Sequence, residues 1–218
     1  SVGAPGNYTI SYVNGTLTVN PYVVNMTGAR AYDGTANVAA GMFTLGPLAL
    51  GQTLSLSGSG TIADKNVANG KTVNTSGITL VNGTGLASNY TFTGGTQTAD
   101  ITPAALTATI SAPNKVYDGA TTAAPVFTIT GGLVGAETVT ATGTATFNSK
   151  DVLTANLVTA NSNLLADGLN GGLASNYSLV TSQTVAANIS PYAVSMTGTR
   201  AYDGTANVAA GMFTLGPL

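Results

Sequence analysis

Apolar and polar side chains alternate with a period of two along much of the chain. Thr53–Ser57, Lys71–Thr75, Ile78–Val81, Asn89–Thr93 and Leu106–Ile110 read as strands, as do Thr138–Thr142 and Thr144–Phe147. That period puts Leu, Ile, Val and Phe on one face and Thr or Ser on the other. Asn7–Val13 and Thr16–Val19 flank Asn14-Gly15, a pairing that predicts a hairpin with a type I′ turn. Helix signals are poor. The best stretches, Thr35–Ala40 and Ala155–Leu165, are rich in β-branched residues, Asn or Gly.

The pattern recurs. Met26–Leu48 and Met196–Leu218 differ at one position in 23, Ala29 against Thr199, at an offset of 170 residues. A divergent copy lies halfway, so that the Tyr-Asp-Gly triplets begin at Tyr32, Tyr117 and Tyr202, each 85 residues from the next. Leu86–Leu106 and Leu173–Val194 form a second marker, and Pro21, Pro103 and Pro191 recur near the same point of each copy. These markers divide the chain into the end of a preceding module (1–20), module one (21–102), module two (103–190) and the start of a following module (191–218). The chain then reads as a window on a longer array whose higher-order unit is a pair of modules.

A module of 85 residues holds about seven strands of average length with short turns. The expected fold is all-β: tandem Ig-like β-sandwich modules of about 85 residues, with β-grasp-like modules as the alternative. Pro at each junction fixes φ and keeps the preceding residue extended. Junctions of that kind are short and stiff, and the expected assembly is a rod.

Composition narrows the function. Only 6% of residues are charged and the net charge is −2, so no basic surface is expected to hold nucleic acid. There is no Cys, which excludes disulfides and thiol chemistry, and no His, the commonest general base and metal ligand. The eight acids (Asp33, Asp64, Asp100, Asp118, Glu137, Asp151, Asp167, Asp203) are scattered in sequence without an Asp-x-Asp cluster. Catalysis would need a nucleophile with its base or two facing carboxylates, and repetition of the modules would repeat any such site. No enzyme activity, cofactor or metal is therefore expected. No run of about 18 apolar residues exists, and no membrane insertion is expected. Lys65 and Lys150 have Asn and Asp close in sequence, the raw material of an intramolecular amide cross-link.

The candidate motif is the loop that recurs three times: Arg30, Tyr32, Asp33 and Gly34; Lys115, Tyr117, Asp118 and Gly119; Arg200, Tyr202, Asp203 and Gly204. Asp caps local N–H groups and Gly supplies a positive φ, so the triplet reads as a turn. Alternation puts the cation and the Tyr on one face, where the charge can lie on the ring. Arg30–Thr35, Lys115–Ala120 and Arg200–Thr205 resemble the signature of YDG-type repeats, and the Asn14–Val19 stretch resembles the end of the related MBG repeats. Such repeats occur in large bacterial secreted proteins, including filamentous-haemagglutinin-like adhesins exported by two-partner secretion. The resemblance implies an extracellular or cell-surface spacer whose partners are neighbouring modules of the same chain. Two other roles are weighed beside it. Identical chains pairing into a fibre or biofilm matrix would be helped by the low charge. A carbohydrate-binding module would ordinarily offer an aromatic platform, and the chain has no Trp.

Overall fold

The computed structural model describes residues 11, 13–180 and 183–217. They form two compact units. The first comprises the described residues up to Arg30 together with Thr35–Ile101, and the second Ala31–Gly34 together with Thr102 onward.

Both units are built of strands, with only three-residue 3-10 turns as helical elements among the described residues. In the first stretch these are β1 (Tyr22–Val23), β2 (Met26–Ala31), β3 (Asn37–Ala39), β4 (Phe43–Leu45), β5 (Leu54–Thr61), β6 (Ala68–Thr72), β7 (Ile78–Asn82), β8 (Tyr90–Thr91) and β9 (Gln97–Thr102). A four-stranded sheet runs β4-β2-β9-β6 and a three-stranded sheet β3-β5-β7, while β1 pairs with β8 in parallel. Nine short strands stand where about seven longer ones were expected, because Gly-rich loops and 3-10 turns interrupt the runs every few residues. The first of these turns, Ala40–Met42, follows directly on β3.

The second stretch repeats the plan with β10 (Ala104–Ser111), β11 (Lys115–Val116), β12 (Thr122–Ala123), β13 (Val126–Gly131), β14 (Val139–Phe147), β15 (Leu157–Asp167), β16 (Tyr177–Leu179), β17 (Thr184–Ala186) and β18 (Ile189–Ser190). A four-stranded sheet runs β12-β14-β15-β17 and a three-stranded one β13-β10-β16. β10 meets β16 in parallel, as does β11 with β18. Parallel pairs require long crossovers. Here the whole module is the crossover, which brings residues near its start beside residues near its end. Two short strands follow, β19 (Met196–Gly198) and β20 (Phe213–Leu215), paired antiparallel.

Alternation carries into burial. Along β10 the pattern is buried-exposed-buried-exposed from Ala104, and β14 begins and ends on buried Val139 and Phe147. Val24, Met26, Val38, Ala99, Ile101 and Val158 are fully buried, each large side chain among them contributing about 1.5–3 kcal/mol relative to exposure. In the second unit Ala145, Phe147, Ala155, Val158, Ala187 and Ile189 form one core cluster.

The stretches with the best of the poor helix signals form strands and short turns, as the all-β expectation requires: Asn37–Ala39 lies in β3, and Val158–Leu165 pairs along β14. Their β-branched residues suit the pleated surface. One expectation is corrected. The hairpin at Asn14-Gly15 does not form a strand in its second limb. Thr16–Val19 carries no strand and Leu17 and Val19 are exposed, while most of its first limb lies outside the described residues. A two-stranded ribbon is marginal without a further surface to cover its apolar face.

Candidate functional site

The three Tyr-Asp-Gly loops share one construction. Gly34, Gly119 and Gly204 have φ of +79°, +77° and +74°, a conformation that glycine adopts at little cost. The cation two residues before each Tyr caps the carbonyl three residues after it. Arg30 donates to the Thr35 carbonyl at 2.7 Å, Lys115 to that of Ala120 at 2.8 Å, and Arg200 to that of Thr205. The Asp closes the same loop: Ala120 N–H donates to Asp118 at 3.0 Å and Thr205 N–H to Asp203 at 2.9 Å. Lys115 also pairs with Asp118 at 2.8 Å, and Arg200 with Asp203 at 2.9 Å.

These bonds stabilise the ionised acids. The Lys115 hydrogen bond, then the Ala120 N–H, holds the Asp118 carboxyl below the usual carboxylate range. For Asp203 the Thr205 N–H and hydroxyl come first and Arg200 adds to them. Both carboxylates are half exposed, so the pairs shape the loop more than they stabilise the fold. The ring under the Lys115 ammonium is that of Phe147, 5.6 Å away on β14. The same-face pairing of cation and Tyr read from alternation is thus not the arrangement that Lys115 makes with a ring.

The three tyrosines differ in surroundings. Tyr32 is 3% exposed, Tyr117 is half-buried against the second unit's core, and Tyr202 is 95% exposed. Within the second unit the Tyr32 hydroxyl donates to Glu137 Oε1 at 2.7 Å, and Tyr177 donates to Oε2 of the same carboxylate at 2.7 Å. The two rings meet edge to face with centroids 5.6 Å apart, a geometry favoured by the ring quadrupoles. Gly34 lies against Val134, where a Cβ would come within 2.7 Å of Val134 Cγ1. Burial, then the hydrogen bond to Glu137, raises the Tyr177 phenol above its ordinary range.

Glu137 is the only glutamate in the sequence and is buried. Reading the motifs one by one does not single it out, whereas aligning the copies does. Gln52 stands 85 residues before Glu137, and Tyr90 stands 87 before Tyr177. In the first unit Tyr90 donates to Gln52 Oε1 at 2.7 Å, and the Tyr90 ring meets Tyr22 edge to face at 5.8 Å. The signal was therefore present as a repeated Gln/Glu–Tyr pair outside the motif that draws the eye.

The family model for the YDG domain matches residues 15–99 and again 102–186. The chain belongs to the YDG domain family. It holds two such domains in tandem, and the all-β strand content with modules of about 85 residues agrees with that assignment. By this match Tyr32 belongs to the first YDG domain in sequence, while Ala31–Gly34 packs as part of the second compact unit. No curated protein and no solved structure matches the chain.

The remaining candidates are separate from these loops. The Lys71 side chain is nearly covered. Its ammonium bonds Asp64 Oδ1 at 2.7 Å and the Asn66 carbonyl at 2.8 Å. Lys150 pairs with Asp151 at 2.8 Å on the surface. Among the described residues, no three His, Cys, Asp or Glu side chains gather to hold a metal ion. Among the described residues no helix is long and apolar enough to cross a membrane.

Proposed function

We propose that this tandem YDG region is a stalk or spacer of a bacterial cell-surface or secreted adhesin, and that it acts mechanically rather than as an enzyme. The observation that carries this reading is the use made of the repeat's own signature. Its cation and Asp are spent on closing a turn, and its Tyr, at position 32, is buried on a carboxylate of the second unit. A motif used in this way serves continuity along the chain. The partners are neighbouring repeats of the same polypeptide, and the setting is extracellular.

The test is light scattering with small-angle scattering on the 218-residue chain over a concentration series. An elongated monomer at every concentration is the expected result. Growth of the particle with concentration would overturn the spacer reading in favour of a self-assembling fibre.

A further inference from the structure

The first and last strands of each module run side by side in the same direction. In the second unit Ala104–Leu106 on β10 pairs in parallel with Tyr177–Leu179 on β16, and Lys115–Val116 on β11 with Ile189–Ser190 on β18. Lys115 N–H donates to the Asn188 carbonyl at 3.1 Å and Tyr117 N–H to that of Ser190 at 2.8 Å. Asn188 N–H donates in turn to Asn114 Oδ1 at 2.7 Å. The first unit has a seam of the same kind. Tyr22–Val23 pairs in parallel with Tyr90–Thr91, Val24 N–H donates to the Thr91 carbonyl at 2.8 Å, and Met26 N–H to that of Thr96 at 3.1 Å. A side chain ties this seam too, as Thr96 N–H donates to Asn25 Oδ1 at 2.7 Å. Both seams are covered: Ala104, Leu106, Tyr177 and Ile189 are buried in one unit, and Val24, Met26 and Tyr90 in the other.

We propose that this seam is a shear clamp, which lets each module bear tension along the chain without unfolding. The inference rests on the spacer reading, since a stalk is loaded along its length, and it adds a force-bearing function to that reading. Direction decides the mechanics. When a module is pulled through the chain, force enters at the start of the first strand and leaves at the end of the last. For parallel partners these are opposite ends of the seam. The load then slides one strand along the other and falls on all the seam's bonds together. Antiparallel partners loaded at neighbouring ends would be peeled apart one bond at a time. Burial adds to the resistance. A backbone hydrogen bond is weak in net terms because water competes for both groups, and water reaches a covered pair less readily. Along the chain, only Pro103 separates β9, which ends at Thr102, from β10, which begins at Ala104. The last strand of one seam therefore hands the load to the first strand of the next through a single residue of fixed φ.

The chain has no Cys, so an introduced pair defines two pulling points for single-molecule force measurement on the 218-residue protein. Pro103→Cys with Pro191→Cys loads the second module's seam along its strands. Pro103→Cys with Ser175→Cys loads the same two strands from their starts, across the seam. All three positions are exposed. At equal loading rate the first geometry should need at least about twofold more force, because forced unfolding is governed by the unfolding rate under the applied load. The two chains should share one urea midpoint, which separates direction of load from stability. Equal forces in the two geometries, or a lower force in the first, would overturn the clamp. A second measurement needs no substitution. Pulled by tags at its two ends, the unaltered chain should lengthen in two abrupt steps of about 250–300 Å, one for each unfolding module. Gradual extension without steps would overturn the clamp as well. Neither result bears on the spacer reading, which stands or falls on whether scattering shows an elongated monomer.

Discussion

Glu137 carries the largest single-residue consequence in the second unit. Two phenols donate to its two oxygens, and the residue is buried. A hydrogen bond to a charged group contributes about 1.5–3 kcal/mol. Tyr32→Phe should therefore destabilise the second unit by about that amount, although Tyr32 precedes most of that unit by seventy residues. Hydrogen exchange along β14 and β16 is the measurement; a loss confined to the first unit would contradict it. The Tyr177 phenol is raised, so the folded state holds its proton more tightly than the unfolded chain does. Its contribution is complete below the ordinary phenol range and is lost as pH rises through the raised value. Urea unfolding should show stability falling above about pH 10, and Tyr177→Phe should remove part of that fall.

Among the elements, β5 and β7 show how closely the small residues are used. Gly58 on β5 has φ +90°, and a Cβ there would lie 2.1 Å from the Gly77 carbonyl oxygen. The antiparallel pairing from Leu54 against Asn82 to Gly58 against Ile78 depends on that approach. Gly58→Ala should cost more than about 1 kcal/mol, because strain and a steric clash add. Denaturant unfolding of the first unit measures it; an unchanged midpoint would show that the register can slip. The parallel pairs β1 with β8 and β10 with β16 belong to the same scale. They clamp the start of a repeat to its last third, which local alternation does not indicate.

For the whole molecule, the sparsity of charge sets the expectation. With six cations, eight anions and a net charge of −2, stability rests on apolar burial and backbone pairing. The ion pairs Lys71–Asp64, Lys115–Asp118, Lys150–Asp151 and Arg200–Asp203 have half-exposed acids. Surface pairs contribute little and are screened by salt. The thermal midpoint should therefore shift by no more than about 2 °C between 20 mM and 500 mM sodium chloride, amounts at which a charge-held fold would respond strongly. A large fall on adding salt would show that the loop ion pairs matter more than their exposure indicates.

Sequence alone determined the strand class, the 85-residue modules and the turn character of the Tyr-Asp-Gly loops. Each follows from local physics: alternation with period two, a composition that disfavours helices, and the fixed demands of a positive-φ glycine beside a capping Asp. It also placed Arg30, Lys115 and Arg200 on those loops, though not the carbonyls they cap. Tertiary structure alone decided that Tyr32 is buried. It alone gathered Glu137 and Tyr177, 105 and 145 residues from Tyr32, around one hydroxyl. Burial is a property of what a residue meets across the chain. For the same reason the partners of Asn37–Ala39 and Val158–Leu165 in their sheets were read from the structure and not from local alternation.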